Sequence, residues 1–154
     1  MLSNIINYKN NILRPSLERL NWDEYFMSIA LLASCRSPCL RLQVGSVIVK
    51  NNRLISMGYN GFPAGAPHNS IIIDGHEQCT IHSEVNSITD CAKRGVSLEN
   101  STIYITHYPC LNCFKTINAS GIIKIIYLED YNNNSIIPEM AKNSNIIIEK
   151  ININ

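Results

Sequence analysis

The sequence predicts an α/β domain in which helices pack on a central, at least partly parallel, β-sheet. Its length of 154 residues suits one domain, and a composition of 45% hydrophobic and 16% charged residues is ordinary for a globular protein. In the second half of the chain, predicted strands at 102–106 and 123–128 flank a predicted helix at 110–120. This strand–helix–strand order favours parallel pairing with the helix packed on the sheet. Residues 15–154 are therefore assigned to one domain and residues 1–14 to a flexible extension.

The first half of the chain predicts one helix followed by a β-hairpin. Apolar residues at helical spacing predict the helix over Trp22–Arg36. Two β-branched runs, Val44–Val49 and Leu54–Tyr59, lie on either side of a turn and predict the hairpin. The Gly- and Pro-rich stretch 60–66 is predicted to be a loop, whereas the short apolar run 71–73 fits more than one state.

Helices continue to alternate with strands toward the end of the chain. The segment His82–Lys93 predicts a helix that stops at Gly95, and Gly121 ends the predicted helix at 110–120. The tail predicts a last short helix from Ile136 and an edge strand at Ile146–Ile148.

Charge and terminal sequence narrow the classes of function. The net charge of +1 does not favour binding along a polynucleotide backbone, although a small phosphorylated ligand needs only one or two local cations or hydroxyls. No apolar run approaches the roughly 20 residues of a membrane-spanning helix. Residues 1–14 also lack the basic and apolar regions of a secretory signal. We therefore expect a cytoplasmic protein that binds neither a membrane nor a polynucleotide.

Six cysteines allow either disulfides or metal ligands. Without an export signal the compartment is expected to be reducing, and a chain of this length does not need disulfides to fold. Metal ligands or free thiols are therefore favoured. Cys35 and Cys91 fall on predicted helix faces, which indicates plain core residues.

Two short motifs predict a metal site. His82 begins one predicted helix, and Cys110 and Cys113 lie at the start of another. Thiolates at i and i+3 lie on one side of a helical turn, so both can reach one ion, and the histidine supplies a third ligand. Three protein ligands leave a fourth position for water, which is the catalytic type of zinc site. The positive end of each helix also favours a thiolate.

Glu84 supplies the acid–base group of this predicted site. It is two residues from His82, too close for a comfortable ligand but well placed to exchange protons with a water whose pKa zinc lowers to about 7. H-x-E…P-C-x-x-C is the signature of zinc nucleobase deaminases, in which the glutamate moves protons and is not a ligand. Alone, Cys-x-x-Cys also fits a redox pair or half of a structural zinc site, and His-x-Glu has little meaning. Together, each at the start of a helix, they favour the catalytic reading.

The chain resembles the deoxycytidylate (dCMP) deaminases of the cytidine deaminase superfamily from about Trp22 to Tyr131. The zinc motif is common to the superfamily, whereas the loop Gly58–Gly65 (GYNGFPAG) is more specific to the dCMP branch. Ser83 and Ser87 depart from the alanines that are usual in the family. The resemblance is carried by Cys39-Leu40-Arg41, Val44–Val49, Gly58–Gly65, His82–Ile88 (HSEVNSI) and Thr106–Cys113 (THYPCLNC).

The resemblance implies a three-layer α/β/α sandwich around a mixed five-stranded sheet. It also implies hydrolysis of dCMP to dUMP, which supplies thymidylate synthesis, by a homohexamer that dCTP activates and dTTP inhibits. By the same resemblance, Asn60 would contact the deoxyribose and Tyr131 the 5′-phosphate. The alternatives are that Asn60 only holds a left-handed turn and that Tyr131 only covers the sheet edge.

A second, structural zinc is a further expectation from the resemblance. Cys39, His68, His76 and Cys79 match positions where some bacterial and phage members carry such an ion, and these residue types suit a closed tetrahedral site. The alternative is that the cysteines are buried without metal.

Three functions remain open at this point. The first is a dCMP deaminase, and the second is another zinc deaminase, acting on cytidine, a free nucleoside or tRNA adenosine. The low net charge disfavours tRNA, and the loop around Asn60 disfavours both tRNA and free nucleosides as substrates. The third is a non-catalytic zinc-binding module, which would not need Glu84 beside its ion.

Overall fold

The computed structural model describes residue 3 and residues 19–151. Except for residue 3, the predicted extension 1–14 lies outside the described residues. The described chain runs in the order α1 (Trp22–Ser34), β1 (Gly45–Lys50), β2 (Arg53–Tyr59), β3 (Ile72–Ile73), β4 (His76–Glu77), α2 (Ser83–Arg94), β5 (Ser101–His107), α3 (Leu111–Ala119), β6 (Ile122–Glu129), α4 (Ile136–Asn143) and β7 (Ile147–Lys150).

The central sheet has five strands in the order β2-β1-β5-β6-β7. Strand β1 pairs antiparallel with both β2 and β5, whereas β5, β6 and β7 are parallel to one another. The parallel half arises because α3 and α4 return the chain to the same end of the sheet between successive strands. The predicted mixed five-stranded sheet is therefore confirmed.

The two faces of the sheet are covered by different helices. Because strand side chains alternate between the faces, Val47 and Val49 face α1, whereas Ile48 faces α2. Helices α2, α3 and α4 share one face, so the predicted three-layer sandwich is confirmed. Two clusters of buried side chains result, one with Phe26, Met27, Ala30, Tyr104, Ile126 and Leu128 around α1, the other with Ile88, Cys91, Ile103, Ile105, Phe114, Ile117, Ile125 and Ile137.

Helix α1 begins at a capping box. The Asn21 side chain accepts from the Glu24 N–H, and the Glu24 carboxylate accepts from the Asn21 N–H, each at 2.9 Å. The helix ends at Ser34, earlier than predicted, and its C-cap Cys35 is exposed, so the prediction that Cys35 is a core residue was wrong. Cys91 is buried as predicted. The difference is that Cys91 lies inside α2 on its sheet-facing side, whereas Cys35 follows the last turn of α1.

The remaining elements match their predictions to within a few residues, with one addition. The run 71–73 enters a two-stranded hairpin, β3–β4, separate from the main sheet. None of the helices among the described residues has the length and apolar character needed to cross a membrane.

Helix α2 lies unusually close to β2. A Cβ on Gly58 would be 2.4 Å from the Ser83 carbonyl oxygen and 2.7 Å from the Ser87 nitrogen, so glycine is required by the close approach. Buried serines of both β1 and β2 also bind α2, because Ser46 Oγ of β1 donates to the Ser83 carbonyl at 2.8 Å and Ser56 Oγ of β2 lies 2.8 Å from the Ser87 carbonyl. The sheet thereby fixes the position of the first turn of α2.

Candidate catalytic zinc centre

The three predicted metal ligands converge where two helices begin. His82 is the N-cap of α2 and Cys110 is the N-cap of α3, both with extended backbone, and Cys113 lies in the first turn of α3. The Cys110 sulfur accepts from the Cys113 N–H at 3.4 Å, which satisfies one of the free amides at the helix end. Both helix ends direct their positive dipoles at the same point, so they favour negatively charged thiolates there.

The spacing of the ligand atoms fits a tetrahedral zinc ion. The His82 Nδ1 lies 3.7 Å from the Cys110 sulfur and 3.3 Å from the Cys113 sulfur, and all three atoms are within 4.8 Å of one another. Zinc–sulfur bonds of about 2.3 Å and zinc–nitrogen bonds of about 2.0–2.1 Å at tetrahedral angles place nitrogen and sulfur about 3.6 Å apart. Two thiols and an imidazole are also the ligands that zinc prefers, so the triad fits the metal.

The protonation states of the triad are coupled. The Cys113 thiol, together with His82, hydrogen-bonds the Cys110 sulfur and lowers the pKa of Cys110 to about 4. The hydrogen bond with Cys110 raises the pKa of Cys113, which therefore keeps its proton when no metal is bound. Cys110 also raises the pKa of His82. One thiolate is thus already present before metal binds, and the other ligands must lose protons to bind zinc.

Glu84 lies beside the triad in the first turn of α2. The residue is only 4% exposed, and this burial raises the pKa of its carboxyl above the ordinary value. The hydroxyl of Ser83 donates to Glu84 Oε2 at 3.0 Å, which partly offsets the effect of burial. A buried carboxyl whose two protonation states are brought closer in energy is suited to accept and return a proton.

A cavity of about 190 Å³ opens onto these groups. His82, Glu84 and Cys110 line it at one place, and the predicted substrate contacts Asn60 and Tyr131 line it as well. The structure therefore brings two predicted ligands, the proton-transfer group and both predicted contacts into one cavity, with the third ligand, Cys113, next to the other two.

Asn60 is held firmly in that cavity. It is buried, its Nδ2 donates to the Leu42 carbonyl and its Oδ1 accepts from the Val44 N–H, each at 2.8 Å. Its φ is not in the left-handed region, so the alternative of a left-handed turn at Asn60 was wrong. The amide keeps one N–H and one lone pair beyond these two bonds, and these are the groups that a ligand can use.

Two further cavity residues, Arg41 and His107, received no role in the sequence analysis. Arg41 donates to the Tyr131 hydroxyl and lies over its ring, 5.7 Å from the centroid. The His107 ring meets the same tyrosine edge-to-face, with centroids 6.1 Å apart and an angle of 89°. Arg41 and Tyr131 are 90 residues apart in sequence, and no local pattern signals that they meet.

The residues predicted to hold a second zinc do not converge. All four lie in the described part of the chain, and no three of them place ligand atoms within 4.8 Å of one another. His68 is exposed and stacks on Phe62, with ring centroids 5.0 Å apart, and Cys39 is buried. The second site stays a prediction, and the arrangement of Cys39, His68, His76 and Cys79 does not support it.

The fold and the His–Cys–Cys triad beside a buried glutamate together define a zinc-dependent deaminase centre. The family model of the cytidine and deoxycytidylate deaminase zinc-binding region matches residues 20–129, and the chain belongs to that family.

Within this family, the similar proteins include deoxycytidylate deaminases. The chain is 40% identical over 141 residues to ComE operon protein 2 of Bacillus subtilis, which covers 89% of this chain and 75% of that protein. It is 38% identical over 126 residues to the deoxycytidylate deaminase of Mycobacterium phage D29, covering 72% of this chain and 97% of the phage enzyme. The crystal structure of the dCMP deaminase from cyanophage S-TIM5 in complex with dCMP and dUMP superposes with a TM-score of 0.76 at 29% identity, covering 90% of this chain and 99% of that one.

Proposed function

We propose that this protein converts dCMP and water into dUMP and ammonia, using one zinc ion held by His82, Cys110 and Cys113. The observation that carries the proposal is that the buried Glu84 and two of the three ligands, His82 and Cys110, line one cavity with the Arg41–Tyr131 pair. Proton transfer and anion binding are thereby available to one small ligand. The relatives that are named for dCMP support the same substrate.

The reaction needs a nucleophilic water and two proton transfers to the pyrimidine. Zinc held by the triad supplies a Lewis acid that makes water nucleophilic near neutral pH. Glu84 accepts a proton as water adds to C4, donates it to the ring nitrogen N3, and assists the amino group to leave as ammonia. Glu84 then passes the proton of the new C4 hydroxyl to the amino group, the C4–N bond breaks and C4=O forms. The two protons of water thus end on N3 and on ammonia, so atoms and charge balance.

Three further residues of the cavity are suited to the sugar and phosphate. Arg41 is a permanent cation whose guanidinium binds phosphate readily, and its bond to the Tyr131 hydroxyl keeps the two side chains together. Asn60, with its amide fixed by the backbone at Leu42 and Val44, is proposed to contact the deoxyribose. The dUMP produced is the substrate that thymidylate synthesis requires.

An absorbance assay of the zinc-loaded protein with dCMP, deoxycytidine and cytidine tests the proposal. Turnover is expected to be fastest with dCMP, and no turnover of dCMP would refute it. Preference for an unphosphorylated nucleoside would favour the alternative of a nucleoside deaminase. A tRNA adenosine deaminase would instead convert an adenosine to inosine within tRNA, with release of ammonia.

Glu84→Gln separates an enzyme from a non-catalytic zinc module. The variant keeps the shape of the side chain but cannot accept the proton, so kcat should fall by at least about 10²-fold. Zinc content should stay unchanged, because Glu84 is not a ligand. Retained turnover would refute the role of Glu84, and wild-type protein that binds zinc without turning over any pyrimidine would favour the module.

Assembly and regulation are also proposed. Trp22 is 55% exposed, and Tyr25 and Leu32 of the same helix are exposed too, which supports a homo-oligomer that covers them. The proposed state is a hexamer, which the mass in solution from light scattering tests directly. Activation by dCTP and inhibition by dTTP rest on the family resemblance, and initial rates with each nucleotide test them.

A further inference from the structure

His107 is a cavity residue that the proposed reaction does not use. It ends β5 and lines the same cavity as Glu84, but it is neither a zinc ligand nor the proton-transfer group. His107 is half-buried and follows the buried Thr106 in the sequence. The question is which of its two ring nitrogens carries the proton, because that decides what the ring can offer to a ligand.

The Thr106 hydroxyl decides the tautomer of His107. Its oxygen already accepts from the Gly45 N–H at 3.1 Å, and it lies 2.9 Å from His107 Nδ1. Thr106 is 1% exposed, and within the described residues its hydroxyl proton has no acceptor other than His107 Nδ1. A buried hydroxyl proton without an acceptor is costly, so the hydroxyl donates to Nδ1. The imidazole proton must then lie on Nε2.

His107 lines the cavity, and its second ring nitrogen, Nε2, is then a donor. Among the residues that the structure describes, none accepts a hydrogen bond from Nε2. Burial lowers the pKa of His107, so the imidazole is neutral near pH 7 and keeps this one fixed N–H. A neutral ring with its donor set by a buried partner is oriented before any ligand binds.

The position of His107 shows which part of a ligand it meets. Its ring lies edge-to-face against Tyr131, whose hydroxyl accepts from Arg41. His107 and Arg41 therefore contact one tyrosine, and three hydrogen-bonding groups surround one part of the cavity. Such a set suits a phosphate, which offers several acceptor oxygens.

We infer that His107 is a specificity-determining residue, whose Nε2–H donates to the 5′-phosphate and so favours a nucleotide over a nucleoside. The inference rests on the proposed function, because it assigns a further contact in the same site. His107 adds a directional donor to the Arg41 cation, and Thr106 holds it in the donating tautomer.

The test compares His107→Phe with His107→Gln, using dCMP and deoxycytidine as substrates. Phenylalanine keeps an aromatic ring against Tyr131 without the donor, whereas the glutamine amide places an N–H near the position of Nε2. A hydrogen bond to a charged acceptor is worth about 1.5–3 kcal/mol, so His107→Phe should raise the KM for dCMP roughly 10- to 100-fold. Its kcat should change little, and kcat/KM for deoxycytidine should be unchanged. His107→Gln should recover most of the affinity for dCMP.

Several results would overturn the inference. Equal losses with both substrates would show that His107 acts on structure or on the chemical step. An unchanged KM for dCMP, or no recovery in His107→Gln, would also refute it. Nitrogen NMR of the wild-type protein gives the tautomer directly and does not depend on a variant that folds; a proton on Nδ1 contradicts the assignment. Failure of the proposed function is distinguishable, because wild-type protein would then not turn over dCMP at all.

Discussion

Gly58→Ala should move the catalytic helix without altering any residue of the site. The new Cβ would lie 2.4 Å from the Ser83 carbonyl oxygen, whereas ordinary contacts begin at 3.4 Å, so the two must separate by 3.4 − 2.4 = 1.0 Å. The obstacle is helix backbone, which cannot rotate aside as a side chain does. The first turn of α2 must therefore retreat from β2 by about 1 Å, and Ser83 stands between His82 and Glu84.

Both stability and catalysis should respond to this displacement. Overpacking of a tight interior costs about 1–3 kcal/mol, which for a chain of this size lowers Tm by about 2–4 °C per kcal/mol. A displacement of about 1 Å in a catalytic group costs up to about 10²-fold in rate. We expect a lower Tm and a kcat, measured per zinc-loaded molecule, that falls by roughly 10- to 100-fold.

Gly45→Ala provides the matched control. Its Cβ would lie 2.0 Å from the Ala30 carbonyl oxygen, so it overpacks against α1 on the opposite face of the sheet. No residue of α1 lines the cavity, and the bond from the Gly45 N–H to Thr106 leads only to His107, whose proposed effect is on KM. This variant should therefore lose stability with a much smaller loss of kcat at saturating dCMP. If zinc-loaded Gly58→Ala kept the wild-type kcat at a temperature where it is folded, the close approach of α2 to β2 would not be what positions the site.

Three other perturbations follow from the same structure. Zinc binding at pH 7 should release between one and two protons, one from Cys113 and a fraction from His82, whose pKa values are both raised in the metal-free protein. Calorimetry in buffers of different ionisation enthalpy measures this number, and a value near zero would contradict it. Ser83→Ala removes a bond that lowers the pKa of Glu84, so the acidic limb of the pH–rate profile should move to higher pH, and a shift to lower pH would contradict the role of the hydroxyl. Ile103→Ala in the buried strand β5 should cost about 2–5 kcal/mol of unfolding free energy in urea titrations. A loss below about 1 kcal/mol would show instead that neighbouring side chains move in to fill the space left by Ile103.

Local spacing was sufficient to predict that the three candidate ligands lie together. Both motifs begin helices, and a helix fixes where the i and i+3 positions point, so His82, Cys110 and Cys113 could be assigned from sequence. The strands could be predicted equally well, because short runs of β-branched residues rarely form another kind of element. Cys35 was misassigned because helical periodicity does not show where a helix ends.

The outer part of the cavity depends on contacts between distant residues. Arg41 and Tyr131 meet only because the segment before β1 and the segment after β6 lie at the same end of the strands. The tautomer of His107 depends on a hydroxyl whose other partner, Gly45, is 61 residues away from Thr106 in sequence. Such positions become recognisable only when the register of β1 against β5 is known.

The separation of the zinc ligands along the chain has a consequence for folding. His82 lies 28 and 31 residues before the two cysteines, and β5, which pairs between β1 and β6, occupies the interval. Until that strand is inserted and both helices have docked, an ion finds only the local cysteine pair. Closing so long a segment is a late event, since its entropic cost must be met by the surrounding sheet. We therefore expect metal capture to complete folding and not to initiate it, so that zinc slows unfolding far more than it accelerates refolding, which the two rates measured with and without zinc would test.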